Sequence, residues 1–258
     1  MTNRVIVITS GKGGVGKTTT ALNLGAALNH FGEDVLVIDG NLSTPNIGVN
    51  LGSPEVPINI NHVMEKKADI KEAVYEHDSG LKIMPASLSI RELESISPVK
   101  FKELKKDFQN LAKYIIIDSA AGLNEEARSA IELSDELIIV TNPEMPAITD
   151  AMKAIKLAQK SDKEILGVIV TRVRKDKIEM QSDIVKELLE IPILGMVPED
   201  MTIKKALNQR DAVIHTHPRS KSSRAYKEIA AKILDIDYDS NKDKGNVWEK
   251  IVLMVKRT

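Results

Sequence analysis

The 258-residue sequence predicts an α/β protein built on a doubly wound, mostly parallel sheet flanked by helices. Three observations carry this expectation. Short β-branched runs alternate with helical stretches along most of the chain. Those runs are continuously apolar, as strands covered on both faces are. The interior must also be aliphatic, because 1 Trp, 4 Tyr and 3 Phe are all the aromatics in a chain that is 42% hydrophobic. Zero cysteines exclude a disulfide framework, thiolate zinc and a cysteine-ligated cluster carried by this chain alone, and fit a reducing compartment. A net charge of −1 means that any charged partner is met by a local patch. No apolar run reaches the roughly 18 residues of a membrane span. No basic–apolar–small leader opens the chain, so a cytoplasmic protein is expected.

The elements follow in order. Val5-Ile6-Val7-Ile8 reads as a buried strand, Ser10–Gly16 as a glycine-rich loop, and Lys17 to about Phe31 as a helix closed by Gly32. Val35–Ile38, ending at Asp39, is the next strand, which completes a right-handed βαβ unit. Pro57, Pro85 and Pro98 punctuate a less regular region, 51–100, read as helical excursions plus one strand near Leu81–Met84. Tyr114–Asp118, Glu136–Thr141, Leu166–Thr171 and Ile193–Val197 are further strands. A helix ending near Leu234 closes a domain over 1–236. Polar residues 237–245 read as a linker, and 246–258 as a C-terminal amphipathic helix.

Residues 11–18 satisfy G-x-x-x-x-G-K-[ST], with Gly11, Gly16, Lys17 and Thr18 in the fixed places and Lys12, Gly13, Gly14 and Val15 between them. The spacing lets successive backbone N–H groups curl around an anion, and side chains at the glycines would obstruct the approach. The following helix points its positive end at the phosphates. Lys17 is then placed for the β/γ-phosphates, Thr18 for Mg²⁺, and Thr19 continues the cradle. The plainer alternative is a glycine turn between strand and helix.

With Lys12 included, Lys-Gly-Gly-Val-Gly-Lys-Thr-Thr resembles the deviant Walker A signature of the MinD/ParA class of P-loop ATPases, in its MinD form. Ile38-Asp39-Gly40-Asn41, Ile117–Gly122, Val140–Glu144 and Gly195–Asp200 support the resemblance, which runs from the first strand to about Leu234. It implies a P-loop fold, ATP and Mg²⁺ as ligands, and a homodimer that sandwiches two ATP molecules while Lys12 reaches the partner's phosphates. A solvated loop lysine is the alternative for Lys12. Asp118, at a strand end and followed by Gly122, matches the Walker B and switch II arrangement, with the carboxylate at Mg²⁺ and the Gly122 N–H at the γ-phosphate. Asp39 resembles the family's other aspartate near magnesium. For both aspartates, capping of the following turn is the alternative. The family usually carries Asp-x-Asp here, and this chain has Asn41 in the second place. An amide accepts a hydrogen bond from water but takes no proton, which implies slow hydrolysis. The resemblance sets adenine near Thr171, Arg172, Val197, Pro198 and Glu199. No guanine-reading Asn-Lys-x-Asp occurs.

On a helix, Val247, Trp248, Ile251, Val252, Met254 and Val255 share one uncharged arc of about 160°. Five cations against two anions give residues 242–257 a local excess of three positive charges. Two readings stand: a helix docked on the core, or an interfacial helix on an anionic membrane surface. The resemblance favours the second, which places the protein on the inner face of the cell membrane and gives it an unidentified regulatory or effector protein as partner. A DNA-partitioning relative would use the basic cluster Arg219, Lys221, Arg224 and Lys227. Short charge runs usually form solvated helix faces and no DNA-reading segment precedes the phosphate loop, so nucleic acid is disfavoured. A low-turnover regulatory scaffold remains a further alternative.

Overall fold

A computed structural model describes residues 3–93, 97–108, 110–174 and 180–240. The strands are β1 (Arg4–Thr9), β2 (Val35–Gly40), β3 (Tyr75–Glu76), β4 (Lys82–Met84), β5 (Tyr114–Ser119), β6 (Glu136–Thr141), β7 (Glu164–Val173) and β8 (Ile193–Pro198). The long helices are α1 (Lys17–His30), α2 (Glu125–Leu133), α3 (Met145–Lys160), α4 (Ser182–Leu189), α5 (Met201–Asn208) and α6 (Lys221–Leu234). Short helical turns at Ile47–Asn50, Ile60–Met64, Ile90–Leu93, Pro98–Glu103 and Val213–Thr216 fill the connections.

All eight strands join one sheet in the order β3-β4-β2-β5-β1-β6-β7-β8. Every pairing is parallel except β3 with β4. β1 therefore sits between β5 and β6, and the crossovers from β1 to β2 and from β5 to β6 leave in opposite directions. In an open α/β sheet, the carboxyl ends at such a reversal form the ligand crevice.

The continuous apolar strands are explained by helices on both faces. Ile6 and Ile8 pack with Leu24 and Leu28 of α1 and with Tyr226 and Ile229 of α6. Val5 and Val7 point the other way, onto Phe101, Ala130 and Ile131. A third cluster sets Ile139, Val168 and Val170 against Ile148 and Ile155 of α3 and Val185 of α4. Helix α1 lies so close to the sheet that a Cβ on Gly25 would stand 2.5 Å from Cγ2 of Val37.

Each strand read from the sequence is present, with ends shifted by two residues or fewer. β3 was not foreseen: two residues held against β4 carry no periodic signal. The expected C-terminal helix over 246–258, with Val247, Trp248, Ile251, Val252, Met254 and Val255, lies outside the described residues. So does the linker beyond Ser240. No helix among the described residues is long and apolar enough to cross a membrane.

Candidate nucleotide site

The loop between β1 and α1 turns through Gly14 and Gly16, whose φ angles of +79° and +96° lie in the left-handed region that a side chain disfavours. α1 begins at Lys17 with no side-chain cap and no acid in its first turn, so its leading N–H groups have no competing protein acceptor there. A cavity of about 430 Å³ opens over them, lined by Gly13, Gly14, Gly16, Lys17 and Thr18, with Asn41 and Thr44 among the other residues around it. Lys17 is only 8% exposed. Burial pulls its ammonium below the ordinary lysine value, and the Asp118 charge works in the other direction. Lys12 is exposed and lines neither this cavity nor the neighbouring one described below.

Asp39 and Asp118 are cross-strand partners on β2 and β5, both wholly buried. Their environments separate them. Asp39 accepts backbone N–H bonds from Asn41 at 3.2 Å, Asn46 at 2.8 Å and Ile47 at 2.9 Å. It is thus the anchor of loop 41–47, the turn-capping alternative made real. Burial first, then the charge of Asp118, pushes its pKa up to about 8. Asp118 accepts from the Thr18 hydroxyl on Oδ2, while its buried Oδ1 has no partner. Burial raises its pKa to about 6, opposed by Thr18 and Lys17. A buried carboxylate oxygen left open beside a threonine hydroxyl at a helix start fits the hard-oxygen demands of Mg²⁺, with Thr18 and Asp118 as the holding groups.

Asn41 has both amide ends engaged by Thr44: Nδ2 donates to its carbonyl at 2.6 Å, and Oδ1 accepts from its hydroxyl at 3.0 Å. Gly122 has φ +83°, and its N–H donates to the Ser10 carbonyl at 3.0 Å rather than into the cavity. Its expected role at a γ-phosphate requires that bond to open. Sequence reasoning missed Glu126 on α2, which is 6% exposed. It accepts from the Ser43 N–H at 3.0 Å and from the Ser43 hydroxyl at 2.6 Å. The 83-residue separation left no signal in the sequence.

A second cavity of about 290 Å³ shares Gly16, Thr19, Arg172 and Leu207 with the first, and brings together Thr171, Val197, Pro198 and Glu199, which the resemblance had grouped. Gly11 lines neither cavity; it lies against α3, where an added Cβ would stand 2.0 Å from the Asp150 carbonyl oxygen. Arg172 reaches both cavities because it sits at φ +57°, where the β7–β8 register shifts. The Thr171 hydroxyl is turned away to the Val15 carbonyl, and Glu199 pairs with Arg174. Ile203 and Leu207 of α5 and Tyr226 of α6 complete the wall. Amphipathic helix patterns mark such residues only as buried, so their place at a ligand was not legible. In the basic cluster, Lys227 is 3% exposed and donates to the Pro218 carbonyl, which takes it out of any surface patch.

The family described as the CobQ/CobB/MinD/ParA nucleotide binding domain matches residues 6–213. An uncharacterized ATP-binding protein of Methanocaldococcus jannaschii is 37% identical over 91% of this chain and 89% of its own length. The septum site-determining protein MinD of Pyrococcus horikoshii, solved with Mg-ADP, superposes with a TM-score of 0.86 at 30% identity, covering 95% of this chain and 100% of that one. MinD in the MinC:MinD cell division complex of Aquifex aeolicus gives 0.82 at 29% identity, over 92% and 98%. The strand order, the phosphate loop and these neighbours agree, and the chain belongs to the CobQ/CobB/MinD/ParA family of nucleotide-binding ATPase domains.

Proposed function

We propose that this chain is an ATP-driven dimerising switch that holds a regulatory partner protein at an anionic membrane surface. The observation that carries the reading is the division between its two loop lysines. Lys17 is buried in the phosphate cavity, whereas Lys12 is exposed and lines neither that cavity nor the one beside it. A cation in that position is free to enter the site of a second copy. There it stabilises the charge that develops on the transferring phosphoryl group.

The loop N–H groups and Lys17 bind the β- and γ-phosphates. Thr18 and Asp118 would hold Mg²⁺, which would neutralise charge on the phosphates. Asn41 stands at the rim of the same cavity and orients water without accepting its proton, so turnover is slow and the ATP-bound dimer persists. The second cavity takes adenine. The Mg-ADP in the Pyrococcus protein supports the ligand, and the MinC complex of the Aquifex protein supports a protein partner. Division-site placement or a related spatial regulation is the process this reading favours.

Residues 246–258 supply the membrane contact. One such helix inserts too few apolar side chains to bind firmly. Two on one dimer gain by effective concentration, so nucleotide state controls residence on the cytoplasmic face. Liposome sedimentation of the full chain and of a chain lacking residues 246–258, each with ATP or ADP, tests this. Binding should be strong only for the full chain with ATP, and equal binding in all four mixtures overturns the switch.

A further inference from the structure

Asn142-Pro143-Glu144 follows Thr141 at the end of β6, and no step of the mechanism above uses it. Asn142 is 7% exposed and sits where the ladder between β6 and β7 stops, one residue past the Thr141–Val170 pair. Its Nδ2 donates to the Thr171 carbonyl at 3.1 Å and to the Thr171 hydroxyl at 2.8 Å. The Thr141 carbonyl lies 3.4 Å from the same nitrogen. A flipped amide would therefore set oxygen against two carbonyls, which fixes Nδ2 as the group facing Thr171.

The Thr171 hydroxyl accepts from Asn142 and has one proton left to give. Val15 O at 2.5 Å is nearer than Thr141 O at 3.2 Å, so the proton goes to the phosphate loop. The described residues contain no cis peptide bond. In a trans peptide the C=O and the next N–H point in opposite directions. A Val15 carbonyl drawn toward Thr171 thus turns the N–H of Gly16, a residue that lines the phosphate cavity, away from Thr171.

We propose that Asn142 is a positioning residue for the nucleotide: through the Thr171 hydroxyl it fixes the Val15 carbonyl, and so aims the Gly16 N–H at the phosphates. This rests on the reading of residues 11–18 as an ATP site. It also gives Thr171, which lines the second cavity, a hydroxyl committed to the phosphate loop. The chain of bonds holds a donor in place before the anion arrives, so its loss weakens recognition of phosphate more than recognition of adenine.

The test compares the full chain with its Thr171→Val, Thr171→Ser and Asn142→Asp variants. ADP affinity is measured by calorimetry, adenosine affinity by displacement of a fluorescent adenine nucleotide, and melting without nucleotide alongside. Valine removes the hydroxyl at constant shape. Aspartate takes the Thr171 proton for itself and releases Val15. Both should bind ADP about tenfold more weakly, as expected for one lost preorganised hydrogen bond, with a clearly smaller loss for adenosine, because valine keeps the shape of Thr171 in the wall of the second cavity. Serine should recover most of the loss seen with valine. Equal losses for ADP and adenosine, or undiminished ADP binding in Thr171→Val, would overturn the positioning role. A native chain that binds no ADP would instead overturn the ATP reading.

Discussion

Replacing Asp118 with Asn should stabilise the nucleotide-free protein even as it removes a carboxylate proposed to hold Mg²⁺. The carboxylate is wholly buried with Oδ1 unpartnered, and burial raises its pKa from 3.8 to about 6. In the unfolded chain it ionises near 3.8, so above that pH folding carries a charge into the protein, at a cost that grows until the folded group ionises too. That interval corresponds to about 3 kcal/mol at about 1.4 kcal/mol per pH unit. Because the folded pKa is the higher one, native stability falls as pH rises from about 4 to 6, and this contribution stays lost above that range. The Asn variant lacks the loss. Its advantage is full near pH 7.5 and about half as large near pH 5. The charge of Asp118 also helps raise the pKa of Asp39 to about 8, so its removal relieves a second buried carboxylate in the same direction. The buried amide of Asn also lacks a partner where Oδ1 stood, which offsets about 1–3 kcal/mol of that gain, so the melting temperature should rise near neutral pH by a few degrees. Urea and thermal unfolding without nucleotide or magnesium, at about pH 5 and pH 7.5, measure it. A variant no more stable than the native chain at the higher pH, or an advantage that grows on acidification, refutes the argument.

Lys12→Ala should keep ADP binding but lose ATP-dependent dimerisation and turnover, read by light scattering and phosphate release; an unchanged ATPase rate sinks the trans role. Asn41→Asp should raise turnover by restoring a carboxylate beside the cavity, and no increase in phosphate release argues against Asn41 as the limit on rate. Gly25→Ala should destabilise the fold by about 1–3 kcal/mol in urea, because the new methyl would stand 2.5 Å from Val37 on a strand that is buried on both faces.

What the sequence revealed was whatever local chemistry determines. Short continuous β-branched runs bounded by turns read as two-sided strands, and a glycine loop entering a helix cradles an anion or turns. The strands and the loop were therefore readable, whereas the grouping of Thr171, Arg172, Pro198 and Glu199 around one cavity was expected from resemblance alone. The short elements between 51 and 100 were not resolved, since turns of four to six residues and the two-residue β3 are fixed by what they pack against. The roles of Glu126, Asn142 and Tyr226 stayed hidden for a related reason. Each depends on contacts across dozens of residues, and helix or strand periodicity records burial but not the identity of the neighbour.

Asp39 and Asp118 looked equivalent as strand-end carboxylates, and their hydrogen bonds divide the labour. Asp118 keeps one buried oxygen without a partner, whereas Asp39 spends its acceptors on the backbone of Asn41, Asn46 and Ile47. The loop that carries Asn41 is thereby fastened to β2 at one point and, through Ser43, to Glu126 on α2 at another. α2 begins six residues after β5 ends, past Gly122, whose N–H closes onto the Ser10 carbonyl of the phosphate loop. The residues that face the phosphates are thus joined to one another by bonds outside the cavity. On the function proposed above, a rotation that freed the Gly122 N–H for a γ-phosphate would pull on the segment leading to Glu126, and hence on the loop that holds Asn41. Such wiring would carry the presence of one phosphate to surface loops, as the proposed meeting with a second copy requires.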